Sequence, residues 1–168
     1  MQTWLPRFVP VTLLLGASLV FQSAPAFAQA KGDPLLGTWV LNLSKSTFEG
    51  IAAPGKRTMT FTAQGAAIKH VIATVTAGPA GTVVAGSNEY TAKLDGTDVL
   101  IAGSFLDTVA LKRIDARTIE RTGKVMGMVV ETMTWTVSAD GKTLTVTTKG
   151  TNPTTEVAYT SLQVFDRQ

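Results

Sequence analysis

Residues 131–137 read ETMTWTV and residues 143–148 read TLTVTT, with an Asp-Gly dipeptide between the two segments. In both segments larger apolar residues alternate with threonine, so that Met133 and Trp135 share one face and threonines occupy the other. Successive side chains of a strand point to opposite faces, and a β-branched threonine suits a wet, pleated surface. The stretch therefore predicts two half-buried strands joined in a hairpin at Asp-Gly.

The same period of two extends over most of the chain and predicts about ten strands. They cover residues 36–43, 56–64, 67–77, 82–94, 98–102, 108–115, 118–124, 128–138, 143–150 and 155–167. Short turn signals separate them, and Asp95-Gly96 is interpreted as another hairpin turn. No segment of residues 29–168 has the three-and-four apolar spacing of an amphipathic helix.

Many consecutive strands with short turns predict an all-β fold, an antiparallel up-and-down β-barrel of about 8–10 strands. A long meander has to close in order to hide its edges, and a barrel closes it within one sheet. A sandwich is the alternative, but it needs long crossovers, and the only long irregular connection is residues 44–55. An outer-membrane barrel is a further alternative, but it needs an apolar outward face where this chain offers threonine and lysine.

Composition excludes several classes of protein. The chain has 168 residues, of which 45% are hydrophobic and 16% charged, below the usual share of about 25% and unlike a disordered chain. Cysteine is absent and histidine occurs once, so neither a disulfide framework, a thiolate site nor a histidine-rich metal site is expected. The formal net charge is only +3 and no run of Lys or Arg exceeds two residues, which argues against a nucleic-acid partner. No metal and no cofactor is predicted.

Residues 1–28 have the order of a secretory signal peptide. Arg7 precedes an apolar run at residues 8–21, and QSAPAFA then ends in the small-x-small triplet Ala26-Phe27-Ala28. The run of about 14 residues is shorter than the roughly 20 that a membrane-spanning helix needs. We therefore expect cleavage after Ala28 and export to the periplasm or the extracellular medium. Residues 29–168 would then form one domain, without stable membrane insertion.

Four stretches resemble a family of small secreted bacterial lipocalin-like proteins with a calycin-type barrel. They are GTWVLNLSKSTF at residues 37–48, YTAKLDG at residues 90–96, DTVALKRID at residues 107–115 and the tail DGKTLTVTTKGTN at residues 140–152. The likeness spans most of residues 35–168. It implies a lipocalin- or fatty-acid-binding-like barrel with a ligand cavity, in a family mostly of uncharacterised function.

The resemblance also implies a structural role for Trp39. In lipocalins such a tryptophan packs across one end of the barrel, often beneath an arginine from a later strand, and we expect Trp39 to do so here. The chain departs from similar proteins at Val99-Leu100, where an aromatic residue and a proline are missing. Residues 44–55 contain two glycines and a proline, and are too broken for the two lid helices of fatty-acid-binding barrels.

Alternation directs three charged residues towards the barrel interior. Glu131 shares a face with Met133 and Trp135, while Arg113 and Arg121 follow apolar residues on the inward faces of their own strands. A buried carboxylate needs a cation or a proton. An Arg–Glu pair would serve either as a structural clamp or as the polar anchor of a ligand pocket.

The large side chains predicted to face the interior are Met59, Phe61, Tyr90, Met133 and Trp135. Each would either pack the core or line a cavity, because a wide barrel is not filled completely by side chains. His70 is interpreted as a hydrogen-bonded barrel histidine. No serine lies in a Gly-x-Ser-x-Gly context, and no phosphate-binding loop occurs, so no enzyme is predicted.

Two functions of different classes remain open at this point. One is a carrier that binds a small apolar or amphipathic ligand inside the barrel. The other is an envelope-accessory or protein-interaction barrel with a filled core. A hydrolase or isomerase is a distant third. The size of the inward residues separates the first two, and alternation alone does not settle it because bulges flip faces.

Overall fold

The computed structural model describes residues 32–78 and 82–168. The expected signal peptide at residues 1–28 lies outside the described residues, so its cleavage remains a prediction. Within the described ranges no helix is long and apolar enough to cross a membrane.

Eleven strands and one short 3-10 helix make up the described structure. The strands are β1 (Gly37–Leu41), β2 (Thr47–Glu49), β3 (Lys56–Gln64), β4 (Ala67–Ala77), β5 (Val83–Lys93), β6 (Asp95–Leu100), β7 (Thr108–Arg113), β8 (Thr118–Val125), β9 (Met128–Val137), β10 (Thr143–Thr151) and β11 (Ala158–Arg167). The 3-10 helix, Leu43–Lys45, lies in the long connection between β1 and β3.

All eleven strands belong to one antiparallel sheet. Its hydrogen-bonded order is β5-β4-β3-β1-β11-β10-β9-β8-β7-β6, and β2 adds to β11. Strand β1 joins two meanders, because it pairs with β3 on one side and with β11 on the other. The two ends of this order lie close together, because Glu89 of β5 forms an isolated bridge with Ala102, two residues after β6 ends, so the sheet curls into a nearly closed barrel. The prediction of an all-β antiparallel barrel is confirmed.

Two local predictions need correction. Asp95-Gly96 does not turn a β5–β6 hairpin, because β6 leaves β5 at Leu94 and pairs with β7 from Asp95 onwards. Gly96 adopts a φ of 86° and the register shifts between Asp95 and Asp98, so this dipeptide bends a strand rather than reversing it. The three-residue strand β2 was not predicted, since it lies within a connection that is broken by Gly50, Pro54 and Gly55.

The two faces of the sheet differ as the alternation predicts. On the outside, threonines stand directly opposite one another, as in Thr134↔Thr147 and Thr136↔Thr145. On the inside, one cluster of buried apolar side chains runs round the barrel and includes Trp39, Phe61, Ile68, Trp135 and Phe165. Burying one face of every strand supplies the main driving force for closure.

One end of the barrel is closed by Trp39 beneath Arg167. Trp39 is fully buried, and its indole nitrogen donates to the Leu35 carbonyl over 2.8 Å. The Arg167 guanidinium carbon lies 4.1 Å from the centre of the indole ring. Its Nη1 donates to the Leu36 carbonyl over 2.6 Å. Arg167 therefore covers the indole ring and also holds the segment that precedes β1.

Gly37, two residues before Trp39, occupies a position that favours glycine for two reasons. Its φ is 123°, a conformation that a side chain disfavours. A Cβ atom at this position would also lie 2.7 Å from Nη1 of Arg167. Any larger residue would therefore displace the arginine that covers Trp39.

Candidate functional site: a cavity in the half of the barrel remote from Trp39

A cavity of about 200 Å³ lies inside the barrel. On β11 the residues that line the cavity are Tyr159, Ser161 and Gln163. Trp39 pairs with Arg167, which lies at the other end of the same strand. Ile51 and Phe105, both exposed, also line it. The cavity therefore occupies the half of the barrel away from the closed end and has an apolar mouth.

A segment after β6 covers the seam where the sheet does not close. Ser104, Phe105 and Leu106 line the cavity. Gly103 approaches β5 so closely that a Cβ atom there would lie 3.2 Å from the Ser87 carbonyl oxygen. Leu106 is buried against Gly123 of β8. Apart from the bridge between Glu89 and Ala102, no ladder of backbone hydrogen bonds joins β5 to β6 among the described residues, and this segment borders the cavity there.

A buried ion pair between Arg121 and Glu131 belongs to the cavity lining. The Arg121 Nη1 atom donates to Oε1 of Glu131 over 2.5 Å, and the two residues are 5% and 7% exposed. Tyr159 donates its hydroxyl to Oε2 of the same carboxylate over 2.8 Å. Both carboxylate oxygens are therefore satisfied, as a buried charge requires.

The same network continues from Arg121 to a neutral histidine. Arg121 Nε donates to the Tyr90 hydroxyl over 3.2 Å, and that hydroxyl lies 3.1 Å from Nδ1 of His70. Burial, followed by the positive charge of Arg121, lowers the pKa of His70 to about 3. We assign Nδ1 as the acceptor of the Tyr90 proton, which places the histidine hydrogen on Nε2.

His70 should make the protein less stable as the pH falls below neutral. Its folded pKa of about 3 lies below the ordinary value of 6.5, so the unfolded chain takes up a proton first. The corresponding stability is present above about pH 6.5 and is lost as the pH falls towards 3. Between pH 7 and pH 5 the expected loss from this residue is about 2 kcal/mol. Urea unfolding at several pH values measures it.

The matched variant for this measurement is His70→Gln, which keeps an acceptor for Tyr90 but does not titrate. Its free energy of unfolding should vary less between pH 7 and pH 5 than that of the wild type. Parallel pH curves for the two proteins would show that His70 is not held neutral by burial.

A second guanidinium, that of Arg57, enters the cavity from β3. Its Nη1 donates to Oε1 of Gln163 over 2.7 Å, and its Nε donates to the Thr74 hydroxyl over 3.2 Å. Gln163 in turn donates to the Ser161 hydroxyl over 2.9 Å. Both acceptors of Arg57 are neutral, in contrast to the carboxylate that holds Arg121.

The structure divides the predicted interior residues between the cavity wall, the buried core beside it and the closed end of the barrel. Met59, Tyr90, Arg121, Glu131 and Met133 line the cavity. Two others lie in the buried core beside it: Phe61 stacks on His70 with ring centres 4.4 Å apart, and Trp135 meets both rings edge-on. The cavity therefore brings together five of the eight ligand-binding candidates.

Arg113, predicted as one of the polar residues of the ligand pocket, does not line the cavity. It is the last residue of β7, and its Nη2 makes an ion pair with the buried carboxylate of Asp33. Asp33 also accepts a hydrogen bond from the Leu35 backbone, in the segment held by Arg167. Arg113 thus shares the inward face predicted for it but stands at the closed end, where it fixes that segment instead of lining the cavity.

Sequence reasoning missed Arg57, Tyr159 and Gln163. A signal for Arg57 is present in the sequence, because it alternates in step with Met59 and Phe61 on the predicted strand at residues 56–64. Tyr159 and Gln163 alternate in the same way along β11. Their polar character hides the pattern, because apolar residues are what mark the inward face of a strand.

Comparison with known proteins adds little. No family model matches the chain, and no curated protein matches it either. Among solved structures, the zebrafish ileal bile acid-binding protein in complex with cholic acid superposes with a TM-score of 0.46 at 12% sequence identity. The superposition covers 80% of this chain and 99% of that one. At this score the likeness says nothing about a ligand or about individual residues.

The cavity offers no obvious metal chemistry. Within residues 32–78 and 82–168, no group of three or more His, Cys, Asp or Glu side chains is arranged to hold a metal ion. What the lining does offer is hydrogen-bond donors, one ion pair, a further cation and apolar surface.

Proposed function

We propose that the protein is a carrier that binds a small amphipathic molecule inside the barrel. The observation that supports it is the cavity, whose wall combines apolar side chains with polar groups at fixed positions. Ligand sites hold a molecule by apolar contact and orient it with a few polar groups. A barrel that served only as a scaffold would gain more stability from a filled, wholly apolar centre.

The apolar part of the ligand would contact the side chains that remain once the polar network is set aside. They include Met59, Ile72, Leu106, Met133 and Val146. The cavity of about 200 Å³ is smaller than the roughly 300–1,000 Å³ of many ligand pockets, so the molecule is small, or part of it extends to the mouth. Ile51 and Phe105 would cover such a part.

Uptake of a neutral, environment-sensitive fluorophore, N-phenylnaphthylamine, by the purified protein tests the proposal. We expect saturable binding with a blue-shifted emission, and displacement by medium-chain amphiphiles. Ile72→Trp, which enlarges a side chain in the cavity wall, should weaken fluorophore binding at least about tenfold, because overfilled sites exclude a ligand sterically.

The matched control for this variant is Val71→Trp. Val71 is the neighbour of Ile72 on β4 and, in a strand, points to the opposite face of the sheet. It should leave fluorophore binding unchanged. Failure of the folded wild-type protein to take up any fluorophore would reject the carrier and favour the scaffold.

We further propose that the carrier acts outside the cytoplasm, in the periplasm or the extracellular medium. The support is the sequence alone, namely Arg7, the apolar run at residues 8–21 and the triplet Ala26-Phe27-Ala28. Amino-terminal sequencing of the exported protein, which should begin at Gln29, tests the proposal.

A further inference from the structure

The charges inside the cavity do not balance. Two guanidinium groups, of Arg57 and Arg121, and one carboxylate, of Glu131, belong to its lining. His70 is neutral near pH 7, because its pKa is lowered to about 3. The lining therefore carries one net positive charge, and a cation in a poorly hydrated site favours a counter-ion.

The excess charge belongs to Arg57 and not to Arg121. Arg121 already uses Nη1 on Glu131 and Nε on the Tyr90 hydroxyl. No carboxylate of a described residue is in ion-pair contact with Arg57, whose two hydrogen bonds go to Gln163 and Thr74. A guanidinium has five N–H donors, so Arg57 keeps donors for another acceptor.

A second unused donor lies on the same wall. The Thr148 hydroxyl is buried and finds no hydrogen-bond partner among the residues that the structure describes. Thr148 stands directly opposite Ser161 in the ladder between β10 and β11, and Ser161 is joined to Arg57 through Gln163. A buried hydroxyl without a partner destabilises a protein unless a ligand satisfies it.

We propose that the molecule bound in the cavity is a monoanion with a carboxylate head group, and that Arg57 is the residue that receives this head group. The inference rests on the proposed carrier function and adds the ligand's charge and orientation to it. A guanidinium pairs with a carboxylate in two-pronged geometry, and Gln163 holds Arg57 from the side. The Thr148 hydroxyl lies on the same wall as a further donor, and the alkyl part contacts the apolar lining.

Competition between N-phenylnaphthylamine and two matched amphiphiles tests the assignment. Decanoate and decanol have the same chain and differ in the charge of the head group. We expect decanoate to displace the fluorophore from the wild type at lower concentration than decanol. Arg57→Met should weaken decanoate at least about tenfold, the usual effect of losing a charged hydrogen bond, and leave decanol unchanged.

Two further variants show whether the charge or the two-pronged geometry of Arg57 causes the weaker binding of decanoate. Arg57→Lys keeps the charge but loses the two-pronged geometry, so decanoate affinity should fall between those of the wild type and Arg57→Met. Arg117→Met removes the same charge from an exposed turn between β7 and β8, and should change neither affinity.

The outcomes separate the two proposals. If the fluorophore binds but decanol competes as well as decanoate, or Arg57→Met leaves decanoate unaffected, the head-group assignment is wrong and the carrier stands. If the folded wild type binds no fluorophore, both proposals are wrong.

Discussion

Arg121→Met should destabilise the barrel by about 3–5 kcal/mol, because it leaves the Glu131 carboxylate buried without its cation. The variant also removes the donor to Tyr90 and the short bond from Nη1 to Oε1. Methionine matches the arginine side chain as far as Nε and carries no charge, so the main change is the loss of the guanidinium group. Urea unfolding followed by tryptophan fluorescence measures the free-energy difference.

The double variant Arg121→Met/Glu131→Gln supplies the control. It removes both charges but keeps an oxygen for the Tyr159 hydroxyl, which now donates to Glu131. We expect it to recover much of the lost stability, since the cost of breaking a buried pair comes mainly from the charge left behind. Additive losses from the two single substitutions would contradict the coupling and show that the side chains act independently.

Trp39→Ala should also destabilise the protein by about 3–5 kcal/mol, the range for deleting a large aromatic side chain from a core. The indole is fully buried, donates to Leu35 and carries the Arg167 guanidinium on its face. The loss should appear in the urea midpoint, and affinity for the cavity fluorophore should change little because Trp39 lies at the other end.

Trp39→Phe separates packing from hydrogen bonding at this position. Phenylalanine keeps an aromatic face for Arg167 but does not donate to Leu35, so a smaller loss of about 1–2 kcal/mol is expected. A loss below about 1 kcal/mol in Trp39→Ala would show that the tryptophan does not close the barrel end.

The fold could be predicted because each strand repeats the same two-residue signal. Most inward positions on β3, β9 and β10 have an apolar neighbour two residues away, so the face assignment is redundant and survives errors at strand ends. The prediction of a hairpin turn at Asp95-Gly96 was wrong for a different reason. The dipeptide encodes a local bend, but whether the next strand pairs backwards or moves on depends on β7, which competes for β6.

The site could be predicted only in part, because alternation gives the face of a residue and not its depth in the barrel. Arg113 and Arg121 both have the inward face of their strands. Arg113 lies at a strand end beside Asp33, whereas Arg121, eight residues later in the chain, lines the cavity. The sequence predicts an inward Arg–Glu pair but leaves open whether Arg113 or Arg121 belongs to it, and the structure pairs Arg121 with Glu131. Arg57 has the inward face of β3 as well, but its polar character hides it among apolar neighbours, and its hydrogen-bond partner Gln163 lies 106 positions away in sequence on β11.

The pairing of β1 with β11, here called the terminal seam because it joins the first and last strands, has a consequence for the rate of folding. Arg167 bonds to Pro34 across 133 positions of chain, whereas hairpins such as β9–β10 join near neighbours. The entropy lost on closing a loop grows with its length, and folding slows as contacts become less local. The hairpins are therefore expected to form early and the terminal seam late, with overall folding in the millisecond-to-second range typical of β-barrels. Until the terminal seam closes, Trp39 remains in contact with water even in a chain whose other ladders are complete.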